Sequence, residues 1–250
     1  MKKQSDRRAQ IIYGTRAILE ALEQGKELEK ILVQKGHQSV NVGDIIKLAH
    51  EAHVPYQLVP KEKFERLGNS NHQGVLAFVS PIYFGSVEEI VPAVYEKGET
   101  PLLLLLDRVT DVRNFGAICR TALAAGVHAI IIPDRGSAAI NEDAVKTSAG
   151  ALLTLPVCRS FKLKQTIEFL KDSGLQLVGC TEKSSTALTA LDFTVPTCIV
   201  MGSEEDGISP EYLKLCDHRA LIPMANQMAS LNVSVAAGII LYETVRQRLG

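Results

Sequence analysis

LLLLLDRVTDVRNFGAICRTALAAG, residues 102–126, opens with five leucines, passes through a polar turn and closes in a helix-period pattern. A strand that is apolar throughout has to be covered on both faces, which is the condition of a parallel strand between helical layers. The same continuous hydrophobicity returns in HAIIIP (128–133), LQLVGC (175–180) and TCIVM (197–201). Residues 101–250 therefore read as a parallel α/β domain.

Such sheets bind ligands beyond the carboxyl ends of their strands, so the residues after each apolar run carry the functional reading. DRVTDVRN follows the leucines, GSEEDG follows TCIVM, and ANQMASLN follows RALIPM. In the first, Asn114 is expected to cap a helix that Gly126 ends. Phe115, Ile118, Cys119 and Ala122 take its core-facing spacing, while Arg113, Gly116 and Arg120 share another face. Two arginines near a helix start, with a glycine between them, suit an anionic ligand such as a nucleic-acid phosphate. A solvated helix face gives the same pattern. In the second segment, Glu204, Glu205 and Asp206 together with Asp107 and Asp111 fit either a magnesium site or a polar turn with one working carboxylate, and the turn is preferred. In the third, Ser230 and Asn232 are candidate caps of a helix that is apolar nearly all round until Glu243.

Working back from residue 101, a different unit precedes the sheet. Helical patterns at 14–22, 43–52 and 62–67 alternate with strand patterns at 30–33, 56–59 and 75–79, the mark of a small layered α/β domain over residues 1–80. Between them, PIYFGSVEEIVPAVYEKGETP holds prolines at 81, 92 and 101, so residues 81–100 read as a linker with a helical turn.

Composition narrows the class. With 46% hydrophobic and 22% charged residues in 250, the chain is an ordinary folded one with room for two domains. Net charge is −1, yet residues 1–16 set Lys2, Lys3, Arg7, Arg8 and Arg16 against Asp6 alone, a basic arm able to neutralise phosphates or a solvated terminus. No secretory or transit pattern is read at the start, and the longest apolar run, 233–242, is shorter than the roughly 20 residues of a membrane helix. Cys119, Cys158, Cys180, Cys198 and Cys216 are widely spaced without a C-x-x-C pair, as expected of reduced thiols in the cytoplasm. His50 and His53 lack a zinc-site continuation, and neither glycine-rich nucleotide fingerprint is present.

Taken in order, NFGAICRTALAAG, IVMGSEEDGIS and LIPMANQMASLNVSVAAGI closely resemble the three motifs of the SpoU (TrmH-like, SPOUT) family of RNA ribose 2′-O-methyltransferases. YGTRAILEAL and NHQGVLAFVS resemble the ends of the ribosomal-protein L30e-like substrate-binding domain carried by the family's ribosomal-RNA members. The resemblance implies a trefoil-knotted domain, S-adenosylmethionine as cofactor, an RNA substrate, and a homodimer in which the knot and final helix build the cofactor cleft. It implies catalytic roles for Asn114, Arg120, Glu204, Ser230 and Asn232, and cofactor contacts at Thr181, Gly202, Ile222 and Leu231. Arg113 and Arg16 are added as RNA-binding candidates. Val112 stands where the family usually has proline, and Glu205 where it usually has glycine.

The family proposal makes the arginine matching Arg120 a base, but a guanidinium normally keeps its proton. The reading preferred here is that Arg120 anchors a phosphate and aligns the 2′-hydroxyl, while a phosphate oxygen or Glu204 assists proton loss. The HQG at 72–74 and the additional domain favour a guanosine of large-subunit ribosomal RNA. A tRNA methyltransferase, a non-catalytic ribosome-assembly factor and a nicotinamide-dependent oxidoreductase are the competing readings.

Overall fold

The computed structural model describes residues 10–37, 40–67, 72–225 and 230–250. Lys2, Lys3, Arg7 and Arg8 of the basic arm lie outside the described residues. The chain divides into two compact units, Met1–Ile82 with Ile140–Glu142, and Tyr83–Ala139 with Asp143–Gly250.

The first unit contains β1 (Ile11–Tyr13), α1 (Thr15–Glu23), β2 (Leu28–Gln34), α2 (Val40–Glu51), β3 (Tyr56–Val59), α3 (Lys61–Leu67) and β4 (Val75–Val79). Its sheet runs β1-β4-β2-β3, with β4 antiparallel to both neighbours and β3 parallel to β2. Alternation along β2 divides the core between the two faces. Ile31 and Val33 pack with Ile18, Leu22 and Ile45, whereas Leu32 packs with Val59, Phe64 and Leu76. The sequence reading does not anticipate β1, whose three residues are too few to show a period.

The HQG tripeptide has a structural explanation. Gly14 precedes α1 without a side chain to cap it, and Gln73 Oε1 accepts from the Thr15 amide and from Thr15 Oγ1, each at 3.2 Å. His72 Nδ1 accepts from the Gly74 amide at 3.0 Å, and its ring lies 4.7 Å from that of Phe64.

The second unit begins earlier than the proline pattern suggests. Where a linker was expected, the chain forms β5 (Phe84–Gly85) and α4 (Val87–Glu96), the latter capped by Ser86 Oγ, which accepts from the Glu88 amide at 3.2 Å. Val87 and Val91 of α4 pack among Leu103, Leu105 and Ile131. Pro81 and Pro101 lie outside this pair of elements and Pro92 lies inside α4, while the valine spacing at 87, 91 and 94 is that of a buried helix face.

β6 (Leu102–Leu106), α5 (Val112–Ala124), β7 (Ala129–Pro133), α6 (Glu142–Thr147), β8 (Val157–Ser160), α7 (Leu163–Asp172), β9 (Gln176–Cys180), β10 (Thr197–Met201), α8 (Pro210–Leu213), β11 (His218–Ala220) and α9 (Val233–Arg248) follow. The sheet is wholly parallel, in the order β11-β9-β10-β6-β7-β8-β5. All five leucines of β6 are buried, as an all-apolar strand requires. Among the described residues no helix is long and apolar enough to cross a membrane.

Helix α9 packs along α5 and buries Val233, Ala237, Ile240, Leu241 and Thr244. Its last turns are tied down by polar contacts. Arg248 donates to the carbonyls of Thr100, Pro101, Phe193 and Val195, and Gln247 Oε1 accepts from the Phe193 amide at 2.8 Å. Glu243 accepts from Arg246 and Gln247, which holds its carboxyl down at about 2, against an ordinary value of 4.5. A depressed carboxylate contributes stability above the unfolded-state pKa and loses it as pH falls through the folded-state value. Between pH 4.5 and 2 the melting temperature of the Glu243→Gln variant is therefore expected to fall less steeply than that of the wild type; parallel curves would contradict this.

Candidate active site

The strand ends of β6, β9, β10 and β11 and the start of α9 meet at one side of the sheet. The cap of α5 is Asp111, not Asn114: Asp111 Oδ1 accepts from the Asn114 amide at 2.8 Å. Asn114 instead sits in the first turn with its side chain free for other work. Its Nδ2 donates to Glu204 Oε1 at 2.8 Å. Asn232 Nδ2 donates to the same oxygen at 2.9 Å and to Asn114 Oδ1 at 3.1 Å. Asn232 Oδ1 meanwhile caps α9, accepting from the amides of Ser234 and Val235, so the helix start fixes this side chain in place. Each of the three polar segments thus contributes one member of a hydrogen-bonded cluster.

Glu204 lies on a closed loop after β10. Ser203 and Gly207 exchange backbone hydrogen bonds of 3.1 and 3.0 Å, and Ser203 Oγ accepts from the Asp206 amide at 3.1 Å. Gly202 makes the closure possible, since a Cβ there would sit 1.9 Å from the Gly207 carbonyl carbon. The loop is also gripped from β6. Buried Asp107 accepts from the Ser209 amide at 2.6 Å, and Arg108 donates to Asp206 at 2.9 Å and to the Gly207 carbonyl at 3.2 Å. Partial burial works against the Arg108 charge, but Asp206 and Asp107 outweigh it and hold its pKa above the ordinary arginine value.

Two cavities, each of about 300 Å³, adjoin this loop. The first is walled by Thr181, Gly202, Ile222, Ser230 and Leu231, with Met201, Ala236 and Ile240 supplying apolar surface. The second is walled by Arg108, Thr110, Asp111, Asn114 and Gly136. Ser203, Glu204, Glu205, Asp206 and Val233 border both. The loop is therefore a partition, with the Glu204 cluster on it.

The four residues expected at a cofactor line the first cavity together with Ser230 and Glu204. Asn114 lines the second. Arg120 and Arg113 are exposed on α5, line neither cavity, and have no hydrogen bond or ion pair among the described residues. Gly116 does not open a path for an anion between them: it is buried, and a Cβ there would meet Thr147 Cβ at 2.7 Å and the Ser148 amide nitrogen at 3.0 Å. Arg16, in the first unit, is exposed and pairs with Glu20 at 3.7 Å.

Cys180 lines the first cavity, but burial pushes its thiol far up, and that of Cys216 to about 11, so neither offers a thiolate near neutral pH. No group of three His, Cys, Asp or Glu able to hold a metal ion occurs among the described residues. Glu182 and Lys183, beyond β9, line the first cavity and were not anticipated, nor were the roles of Asp107 and Arg108. The strand-end rule points to all four, but not to their partners.

Residues 101–242 match the SpoU rRNA Methylase family, and residues 11–84 match the RNA 2′-O ribose methyltransferase substrate-binding domain. A Staphylococcus saprophyticus protein assigned to the TrmH family of tRNA/rRNA methyltransferases is 38% identical over 95% of this chain and 96% of its own. The SpoU methyltransferase AviRb of Streptomyces viridochromogenes, solved with AdoMet, is similar over 96% of this chain and 90% of that one, at 30% identity and TM-score 0.61. The A. aeolicus TrmH/SpoU tRNA modifying enzyme covers 65% of this chain and 84% of its own, at 34% identity and TM-score 0.55.

Proposed function

The chain belongs to the SpoU rRNA methylase family, and from that premise we propose that it transfers a methyl group from S-adenosylmethionine to a ribose 2′-oxygen of RNA. The observation that carries this reading is the cluster of Asn114, Glu204 and Asn232 on the partition between two cavities. A cofactor on one side and a ribose on the other would meet there.

The first cavity fits S-adenosylmethionine in chemistry. Ile222, Leu231, Ala236 and Ile240 offer apolar surface that would suit an adenine, while Glu182, Glu204, Glu205 and Asp206 outnumber Lys183 and give the wall a negative balance that would suit a sulfonium. Bound there, the cofactor supplies an electrophilic methyl on sulfonium. Thr181, Gly202, Ile222 and Leu231 would hold it, and Ser230 would close the wall beside Glu204.

Asn114 and Asn232 fix the Glu204 carboxylate with Oε1 as acceptor, and Oε2 has no hydrogen bond among the described residues. That oxygen is free to take a hydrogen bond from the 2′-hydroxyl and assist loss of its proton. Arg120 anchors the adjacent phosphate rather than acting as base, since arginine does not give up its proton in proteins. Orientation of this kind supplies about 7–11 kcal/mol in well-aligned reactions. Arg113, on the same helix, and Arg16, on α1, would contact the RNA backbone.

The working form is proposed to be a homodimer. Val235, Ile239 and Tyr242 on α9 are 51%, 38% and 72% exposed, as is Leu123 on α5 at 39%. Such a stripe is the kind that covers itself with a second copy. Arg120 lies outside both cavity walls and one helical turn from Leu123, so pairing through these faces would set it beside a neighbouring copy. The trefoil-knotted chain course is proposed too, supported by β10 lying between β9 and β6 and by α9 returning to α5. A crystallographic trace through residues 176–250 tests both.

The RNA is proposed to be ribosomal, with a guanosine as target, and the enzyme to act in the cytoplasm, in keeping with its free cysteines. The substrate-binding domain, matched separately from the methylase domain, supports ribosomal RNA; a tRNA substrate is the alternative. The test is transfer of labelled methyl to purified ribosomal RNA and tRNA, followed by nucleoside analysis. Labelled 2′-O-methylguanosine from ribosomal RNA is expected. Label confined to tRNA would overturn the substrate, and no ribose label the enzyme.

A further inference from the structure

We infer that Arg108 is a positioning residue that sets the pose of Glu204 by clamping the loop between the two cavities, an inference resting on the methyl-transfer reading of that site. Its backbone is in the left-handed region, φ 60°, where glycine sits freely and a side chain is strained. The strain is met by three contacts of one guanidinium. Nε donates to Asp107 Oδ1 at 3.3 Å, Nη1 to Asp206 Oδ2 at 2.9 Å and Nη2 to the Gly207 carbonyl at 3.2 Å.

Asp107 is only 1% exposed, and its second oxygen takes the Ser209 amide. The dipeptide that follows β6 thus holds the loop at Asp206, Gly207 and Ser209, on the limb opposite Glu204. The Ser203–Gly207 bridge passes that constraint across to the catalytic limb. Arg108 lines the second cavity and is absent from the lining of the first, and the Ser203–Gly207 backbone bonds keep the loop closed without it, so its loss should affect turnover far more than cofactor affinity. A lysine cannot substitute, because one ammonium cannot serve three acceptors spread around a planar fork.

Arg108→Gly relieves the backbone strain and removes the clamp, so the variant is expected to fold. Hydrogen exchange at the Ser203 and Gly207 amides should quicken by about tenfold or more. Turnover should fall about thirtyfold while calorimetric S-adenosylmethionine affinity stays within about threefold. Arg108→Lys should not restore turnover, and adding Asp206→Asn to Arg108→Gly should cost little more than Arg108→Gly alone. Unchanged exchange and turnover in Arg108→Gly, full activity in Arg108→Lys, or cofactor affinity falling in step with turnover would each overturn the inference. A wild-type protein that methylates no RNA contradicts the reading of the site instead, and the exchange measurement still tests the clamp.

Discussion

Arg120→Ala is expected to lower methyl transfer by about three orders of magnitude and to leave S-adenosylmethionine affinity within about threefold, because on the proposed reading the lost contact belongs to the RNA and matters in the transition state. The structure leaves this guanidinium exposed and outside the first cavity, which is why affinity and turnover should separate. Arg120→Lys keeps the charge and loses the bidentate fork, so it should fall between the two, about tenfold to a hundredfold below wild type. Near-normal methylation by the lysine variant would contradict the aligning role. If Arg120 serves a neighbouring copy, mixing Arg120→Ala with Glu204→Gln protein should restore about a quarter of wild-type activity, since half the dimers then hold one intact site. No recovery on mixing would place both residues in the same copy's site.

Gly202→Ala is expected to do the opposite and remove the cofactor. The added methyl falls 1.9 Å from the Gly207 carbonyl carbon and 2.1 Å from the Ile208 amide nitrogen, both backbone, so the loop has to open. We expect a stability loss of about 2–4 kcal/mol. S-adenosylmethionine affinity should fall at least about a hundredfold, or about 2.7 kcal/mol. Calorimetry and thermal unfolding of the variant read the two separately. Normal affinity would mean that the closed loop is not the cofactor wall.

How much of this was legible in the sequence depended on the physical signal available. The strands at 102–106 and 197–201 were readable to the residue, because a strand covered on both faces cannot hide its apolarity. β5 and α4 were obscured by prolines, one of which, Pro92, lies inside the helix itself. The sequence reading puts the cap of α5 at Asn114, and the geometry gives it to Asp111, three residues earlier. The choice has a chemical consequence, because it leaves Asn114 Oδ1 to accept from Asn232 instead of from an amide of its own helix. Gly116 shows the same limit: the residue permits close approach, but sequence does not say of what. Nothing in the string DRVTD shows that Arg108 is left-handed or that its partners lie almost a hundred residues on. The four cofactor candidates came from family resemblance alone, while the structure draws them to one cavity through strand ends distant in sequence.

The central claim, ribose methylation of RNA, is tested most directly by mapping 2′-O-methyl positions in total RNA from cells with and without the gene. The account predicts that one guanosine of large-subunit ribosomal RNA loses its 2′-O-methyl group when the gene is absent, and regains it from the wild-type gene but not from the Arg120→Ala variant. An identical 2′-O-methylation map in both cells would contradict it.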